Sequence, residues 1–419
     1  MCRTGSWAWA VAGPVKDKPL LSCLMRPCVA MITIMSYIFI DNQKEFDELA
    51  ARLAKHKYIA IDTESNSLYA YKEKFCLMQL TGEDINAVVD TLALDIKSIL
   101  PVFSDPGVEK IFHSADSDIR VFKAAMDCAF VNIFDVMVAA KYLGIIKCGL
   151  DNMVKHFFGL EMNKKFQKAD WGRRPLSREM LDYASADTIH LKKLRDILAA
   201  DLEKKGRLEE VKGQFAQICK IEPQPMRFDE SGFTTLKSAR QLNGRGLAVL
   251  RELYLAREVA AIKRNTPPFK IISEDLMLRL SVAPREGLHN LSIFKGVSGY
   301  VLANHGFWIR EALQRGLKSP EYHVPRREIS REKRAYFETV KNRFKNLKIW
   351  RKEIAVRRNM LPEAIMGNDV LERVALSQPG TLEDLQGVRG LGAEKVSLYG
   401  AELLEFIKKH RLGKHGGGE

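Results

Sequence analysis

The sequence has no C-x-x-C pair and none of the cysteine and histidine spacings that are typical of zinc sites. Its cysteines form an odd-numbered, scattered set, which argues against the disulfide framework of a small secreted protein. They are Cys2, Cys23, Cys28, Cys76, Cys128, Cys148 and Cys219. We therefore expect reduced thiols and a cytoplasmic protein.

Long apolar runs are absent as well. No stretch reaches the ~18–20 apolar residues that a membrane span requires. Residues 1–30 lack the continuous apolar segment of a signal peptide, because a proline and a Lys-Asp-Lys run interrupt it. The periodic pattern begins only near Met31 or Met35, so we expect residues 1–34 to be an N-terminal extension, either disordered or translated from an early start codon.

Acidic residues are outnumbered by basic residues in one half of the chain only. Residues 1–200 hold 26 Lys and Arg against 25 Asp and Glu, whereas residues 201–419 hold 40 against 27. Such a basic half is typical of a protein that binds a polyanion, although many basic proteins bind none. At 419 residues, with 46% hydrophobic and 28% charged residues, the chain is long enough for two or three packed units.

Periodicity divides the chain into two parts. From Tyr37 to about residue 200, the short apolar runs YIFI, YIAID, CLMQLTG, INAVVD and KIFH alternate with amphipathic segments, which predicts a mixed sheet covered by helices. The segment FVNIFDVMVAAKYL is interpreted as helical. Beyond about residue 238 almost every pattern is helical, and one order of helices occurs twice. We therefore predict two diverged copies of one helical module.

Two carboxylates follow the apolar run YIAID. Side chains at i and i+2 of a strand point to the same face, so Asp62 and Glu64 are expected to face the same way. Adjacent acids repel unless cations lie between them, which suits Mg²⁺ or Mn²⁺. A D-x-E at a strand end is by itself also common in solvated loops.

A second acid is paired with a tyrosine in LDYASADTIHL. Helical spacing of four places Tyr183 and Asp187 on one face, one turn apart. An amphipathic surface helix explains that spacing equally well. The preceding residues predict a buried Trp171, a basic Arg-Arg pair and Ser177 as the cap that begins the helix.

A third acidic segment, KIFHSADSDIRVF, lies between these two. An apolar run ends at His113, and a helical stretch follows. Asp116 and Asp118 are both candidates for a functional carboxylate, and both are also explained as acids at a helix start. Asp116 is the better candidate for the helix cap.

In this order the three segments IAIDTESNSL, KIFHSADSDIRVF and ADWGRRPLSREMLDYASADTIHL resemble the exonuclease motifs of the ribonuclease D family, in the tyrosine-bearing subgroup of the DEDD superfamily. The resemblance implies an α/β, ribonuclease H-like mixed-sheet domain. The implied metal-binding acids are Asp62, Glu64, Asp118 and Asp187, with Tyr183 orienting the water. Asp118 is chosen over Asp116 because the family's acid lies five residues after the histidine, here His113.

The resemblance also implies an activity. The family's reaction is 3′-5′ exoribonuclease hydrolysis with two divalent ions, Mg²⁺ or Mn²⁺, releasing nucleoside 5′-monophosphates. In that scheme Asp62 bridges the two ions. Glu64 and Asp187 complete the coordination of the first ion, and Asp118 supports the second ion. Candidate contacts to the last nucleotide are Leu68, Gln79 and His113, each of which core packing or a turn also explains.

The C-terminal half resembles a pair of HRDC domains, which are small helical nucleic-acid-binding modules. The run A-x-x-x-N-x-P-x-F, from Ala261 to Phe269, resembles the turn that joins the first two HRDC helices. The predicted organisation is an extension (1–34), an exonuclease domain (35–215), a linker (216–238) and two all-α HRDC-like domains (239–318 and 328–412). Residues 331–358 carry 11 Lys or Arg against 3 acids, and their aromatic residues Phe344 and Trp350 are expected to be core.

The partner implied by the resemblance is RNA with a free 3′ end, such as a tRNA precursor, bound by a monomer. Two alternatives remain open at this point. One is a DNA-directed 3′-5′ exonuclease, since four acids do not distinguish between sugars. The other is a non-catalytic RNA-binding scaffold.

Overall fold

The computed structural model describes residues 36–223, 227–324 and 330–412. The predicted extension, residues 1–34, lies outside these ranges. Six strands precede most of the helices, and the apolar runs predict the first five of them. They are β1 (Ile38–Ile40), β2 (Tyr58–Ser65), β3 (Phe75–Thr81), β4 (Asn86–Asp90), β5 (Glu109–Phe112) and β6 (Ile133–Asp135).

The strands form one mixed sheet in the order β1-β4-β3-β2-β5-β6. The pairs β4–β3 and β3–β2 are antiparallel, and the other three pairs are parallel. β2 therefore lies inside the sheet, with a strand on each side. Eight helices accompany the sheet: α1 (Gln43–Leu53), α2 (Leu100–Ser104), α3 (Ala115–Ala125), α4 (Val136–Tyr142), α5 (Leu150–Phe158), α6 (Arg178–Ile189), α7 (Leu191–Lys204) and α8 (Leu208–Cys219).

The two faces of the sheet differ in chemistry. On one face, Ile59 and Ile61 of β2 join the main hydrophobic core with residues of α1 and α3. The other face lies under α6, where apolar packing is limited to a small cluster that includes Leu77, Val88 and Trp171. Because strand side chains alternate, the even-numbered residues of β2 face α6. This second face is the one that carries polar side chains.

The C-terminal part of the chain is helical, as predicted. The first helical module comprises α9 (Gly244–Arg264), α10 (Pro268–Ile271), α11 (Glu274–Val282), α12 (Pro284–His289) and α13 (Gly299–Lys318). The second helical module comprises α14 (Arg331–Arg358), α15 (Pro362–Ile365), α16 (Asn368–Ser377), α17 (Leu382–Gln386) and α18 (Ala393–Leu412). No helix in the described ranges is long and apolar enough to cross a membrane.

The two helical modules are copies at a constant offset of 94 positions. α9 ends at Arg264 and α14 at Arg358, and each is followed by an asparagine in the left-handed region, with φ 45° and 47°. Asparagine tolerates this conformation better than most residues, and it ends both helices. The last helices, α13 and α18, begin at residues separated by the same offset.

A buried arginine repeats at the same offset. The guanidinium of Arg257 donates to the carbonyl of Ile272 at 3.5 Å, and that of Arg351 donates to the carbonyl of Met366 at 2.6 Å. In both modules this bond ties the first long helix to the segment after the Asn turn. Sequence periodicity indicates the repeat, and these matching contacts establish it in three dimensions.

The two modules differ in how they pack. Trp350 is 2% exposed and belongs to the main hydrophobic core, so the second module shares that core with the sheet and its helices. A buried Glu210 on α8 pairs with Arg358 at 2.7 Å and accepts from the Tyr399 hydroxyl at 2.6 Å. The first module has its own core, which includes Phe233 from the predicted linker.

Two local predictions were wrong. The segment FVNIFDVMVAAKYL is not wholly helical, because its Ile133–Asp135 form strand β6 before α4 begins. Asp116 is not the cap of α3. Ser114 occupies that position with φ 68°, and Asp116 lies in the first turn, where it pairs with Arg120 at 3.2 Å.

Candidate active site

The strand β2 places Asp62 and Glu64 on the face covered by α6. Ser177 caps α6 by accepting from the Met180 N–H, as the sequence predicts. Helical spacing then puts Asp187 on the side of α6 that faces β2. Carboxylate oxygens of Asp62, Glu64 and Asp187 all lie within 4.8 Å of one another. Two motifs more than a hundred residues apart thus form one acidic cluster.

Asp118 approaches from the opposite face of the sheet. It lies on α3, which packs on the face of Ile59 and Ile61, and it is 5% exposed. The hydroxyl of Thr63, which also points to that face, donates to its Oδ1 at 2.6 Å. Asp118 is therefore held at the edge of the acidic cluster and is separate from the set of three.

A buried aspartate, Asp135, fixes the position of α3. Its carboxylate accepts from the N–H groups of Ser114 and Ala115 at 3.1 and 2.8 Å. The same carboxylate caps α4 through Met137 and Val138. Two helix starts share one anion, which complements the positive end of both helix dipoles. The sequence analysis missed Asp135, although an acid between an apolar run and a helical segment is a capping signal.

Burial and mutual repulsion dominate the electrostatics of the cluster. Burial, with the charges of Asp62, Asp187 and Asp118, raises the pKa of Glu64 to about 10. Burial raises the pKa of Asp187 to about 7, and burial followed by the charge of Asp187 raises the pKa of Asp62 well above its usual range. The pKa of Asp118 is raised in the same way. Four carboxylates in one cluster, of which Asp118 is buried and the other three are partly buried, are unfavourable when they ionise without a cationic partner.

A divalent cation is the counter-charge that this donor set fits. Hard cations such as Mg²⁺ and Mn²⁺ bind carboxylate oxygens, and three of them converge here. No described lysine or arginine forms an ion pair with any of the four acids. A bound divalent cation would supply the missing positive charge and so favour the ionised form of these carboxylates.

Tyr183 is held by aromatic packing beside the cluster. Its ring lies 6.0 Å from that of Phe166 and 6.0 Å from that of Trp171, which is 1% exposed. Burial and the charge of Asp187 raise the pKa of Tyr183. The phenol is therefore neutral at physiological pH and is able to donate a hydrogen bond. Tyr183 and Asp187 line a depression of about 430 Å³.

An ion pair anchors the loop that carries Trp171. Arg174 donates to the carboxylate of Asp90 through two nitrogens, at 2.5 and 2.6 Å, and to the carbonyls of Trp171 and Cys76. Asp90 is 5% exposed at the end of β4. This contact joins the Arg-Pro-Leu segment to the sheet and fixes the wall against which Tyr183 packs. The sequence analysis noted the Arg-Arg pair but missed its partner.

The three candidate nucleotide contacts have different positions. Leu68 and His113 line an open cavity of about 320 Å³ together with Asp62, Glu64 and Asp118. His113 donates from Nε2 to the carbonyl of Cys148 at 2.9 Å, since a carbonyl can only accept. Gln79 is wrong as a direct contact, because its side chain is fully buried beneath α6.

Comparison with known sequences agrees with this geometry. A family model described as "3'-5' exonuclease" matches residues 37–203, and the HRDC domain model matches residues 340–407. A ribonuclease D from Gluconacetobacter diazotrophicus is 29% identical over an alignment that covers 90% of this chain and 96% of that one.

Solved structures of two exonucleases share the fold of this chain. The catalytic core of RRP6 from Trypanosoma brucei superposes with a TM-score of 0.62 at 26% identity, covering 69% of this chain and 82% of that one. Escherichia coli RNase D has the same fold, with a TM-score of 0.62 at 21% identity and coverage of 90% and 99%. Since the relatives match almost end to end and the acidic cluster lies within the exonuclease match, the chain contains a 3′-5′ exonuclease domain and is similar to ribonuclease D over nearly its whole length.

Proposed function

We propose that the chain hydrolyses RNA from its 3′ end and releases nucleoside 5′-monophosphates. The observation that carries the proposal is the convergence of Asp62, Glu64 and Asp187, with Asp118 beside them. Asp62, Glu64 and Asp118 line an open cavity, and Asp187 lines the depression that it shares with Tyr183. In the reaction the oxygen of water forms a new bond to phosphorus. The bond from phosphorus to the 3′ oxygen breaks, and that oxygen leaves with a proton.

The four acids are proposed to hold two divalent ions, Mg²⁺ or Mn²⁺. Bound ions of this kind activate water and stabilise the charge that develops on the leaving oxygen. Asp62 suits a bridging position, because its charge acts on Asp118 and that of Asp187 acts on it. Glu64 and Asp187 would complete one site, and Asp118, oriented by Thr63, would support the other.

Tyr183 is proposed to position the attacking water. Its raised pKa argues against proton abstraction, since the phenolate is a minor form at neutral pH. The rings of Phe166 and Trp171 limit its movement, which suits a group that orients a small molecule. Among the nucleotide contacts, Leu68 is 42% exposed at the cavity, where it could pack against a base, and His113 is proposed as a polar contact.

The natural substrate is proposed to be a structured RNA with a short 3′ tail, such as a tRNA precursor, acted on by a cytoplasmic monomer. The family resemblance supports this proposal, and so does the charge of the C-terminal half. On α14, Lys341, Lys345, Lys348 and Lys352 are exposed at helical spacing, which suits contacts to phosphates.

The alternatives are less well supported. A scaffold with a degenerate site would be expected to lack at least one acid, whereas all four acids and Tyr183 are present. A DNA-directed enzyme would share the acidic cluster, and relative rates on RNA and DNA of one sequence separate the two activities. The relatives with end-to-end coverage carry the name ribonuclease D, which favours RNA.

The deciding experiment is digestion of a 3′-tailed RNA labelled at its 5′ end, with Mg²⁺ or Mn²⁺ and with EDTA as the control. A ladder that shortens by one nucleotide at a time and disappears with EDTA is the expected result. A DNA strand of the same sequence is digested in parallel. Internal cuts, or bound but uncut RNA with every metal, would refute the proposal.

A further inference from the structure

The loop between β2 and β3 forms one wall of the catalytic cavity. Leu68 and Glu73 of this loop line the cavity, and so does Lys168 from the segment before α6. The Tyr69 hydroxyl donates to the carbonyl of Lys168 at 2.7 Å, which ties the two segments together. This wall of the cavity therefore consists of two loops that a hydrogen bond holds together.

The same loop also contacts the first helical module. The ammonium of Lys270 lies 3.5 Å from the ring centroid of Tyr69, and the Tyr71 hydroxyl donates to the buried Glu258 of α9. The Lys72 N–H lies 3.5 Å from Oδ1 of Asn265. These contacts place the turn between α9 and α10 directly beside the cavity wall.

The junction presents an exposed aromatic ring among positive charges. Phe269 is 56% exposed on α10, just after the turn, although most large apolar side chains of this module are at least partly buried. The exposed basic residues on α10, the end of α9 and the adjoining loops are Lys72, Lys74, Lys168, Lys263, Arg264 and Lys270. None of the six forms an ion pair with a described carboxylate, and Arg264 instead donates to Tyr300 and Asn304.

We propose that this junction binds the single-stranded RNA that leads into the catalytic cavity, with a base stacked on Phe269 and phosphates near the lysines. This RNA-binding role rests on the exoribonuclease function proposed above. Aromatic rings within a basic surface are the usual means of binding single strands without sequence preference. The surface is continuous with the cavity through Tyr69 and Leu68, so the bound strand points its 3′ end at the acids.

Phe269→Ala provides the test, with Phe307→Ala as the matched control. Phe307 is 76% exposed on α13 of the same module, but no described contact joins it to the cavity wall. Binding of a fluorescent single-stranded RNA is measured with the full-length chain carrying Asp62→Ala, so that the RNA is not degraded. We expect Phe269→Ala to weaken binding on the order of tenfold and Phe307→Ala to weaken it less than twofold. Equal affinities of the two variants overturn the proposal.

Crosslinking tests the same path without relying on a substitution. RNA carrying a single 4-thiouridine at successive positions from the 3′ end is irradiated with the Asp62→Ala chain. Crosslinks to peptides that contain residues 263–270 are expected from positions upstream of the terminal nucleotide. Their absence from every position contradicts the proposal. If wild-type protein produces no ladder from any RNA, the function itself fails, whereas a normal ladder with no Phe269 effect removes only the binding path.

Discussion

Gln79 lies directly opposite Asp62 on the neighbouring antiparallel strand, and neither polar atom of its side chain has a hydrogen-bond partner in the described structure. Opposite residues of an antiparallel pair point to the same face, so the buried amide of Gln79 lies beside the acidic cluster. An unpaired buried amide costs stability. The unpaired amide of Gln79 has a function if its N–H donates a hydrogen bond to a carboxylate that becomes charged when metal binds.

Gln79→Leu is expected to have opposite effects on stability and metal binding. Removal of the unpaired amide should stabilise the metal-free protein by about 1–3 kcal/mol. Loss of a group that orients the ligands should weaken Mn²⁺ binding by roughly 10-fold or more. Denaturant unfolding in EDTA and titration calorimetry with Mn²⁺ measure the two effects.

Tyr142→Phe is the control for Gln79→Leu. The Tyr142 hydroxyl is also buried without a partner, but it lies in the main core and not under α6. We expect this change to leave Mn²⁺ affinity unaltered. If Gln79→Leu destabilises the protein and does not change Mn²⁺ affinity, Gln79 is an ordinary core residue.

Asp62→Ala is expected to abolish turnover and to retain RNA binding, because it removes the acid that interacts with all three of the others. Asp116→Ala is its control. Asp116 is the acid nearest in sequence to Asp118, but it is exposed and pairs with Arg120. Its variant should keep turnover within a few-fold of the wild type. Single-turnover RNA degradation and filter binding measure both variants, and retained turnover by Asp62→Ala would disprove the assigned site.

The stabilising effect of Mg²⁺ should increase with pH. Burial raises the pKa of Asp187 to about 7 in the folded protein, above the usual 3.8 of an aspartate, so the fold favours the protonated acid. Metal-free protein therefore loses stability as pH rises between these values, at up to about 1.4 kcal/mol per pH unit. Metal binding requires ionised carboxylates and stabilises the folded state by mass action.

Thermal unfolding with Mg²⁺ or EDTA, at about pH 5 and about pH 8, measures this effect. We expect a larger Mg²⁺ shift at the higher pH. Asp187→Asn cannot ionise and should reduce the difference between the two pH values. An equal Mg²⁺ shift at both pH values in the wild type would show that these carboxylates are not the binding groups.

Arg174→Met should destabilise the protein by about 3–5 kcal/mol, because it leaves the buried Asp90 without its cation. Arg52→Met is the control, since the Arg52–Asp84 pair is at least half exposed on both sides and should contribute little to stability. Denaturant unfolding measures both. A similar small loss for the two variants would mean that Asp90 is solvated in solution.

Short-range pattern predicted much of the site. The i, i+2 spacing of Asp62 and Glu64 and the i, i+4 spacing of Tyr183 and Asp187 each gave the correct shared face, because strand and helix geometry fix side-chain direction locally. The cap at Ser177 was confirmed for the same reason. β6 was missed, since a strand of only three buried residues before a helix, two apolar and one acidic, has no periodicity of its own.

The sequence by itself determined most of the helices and strands, the acidic motifs and the helical repeat, all of which follow from local geometry and spacing. Tertiary structure alone decided that Asp118 reaches the cluster from the opposite face, and that Gln79 is buried when the sequence suggested a nucleotide contact. It also decided that the second module shares the core of the exonuclease domain. These relationships depend on which faces of distant helices and strands pack together. The spacing of apolar residues within one segment does not contain that information.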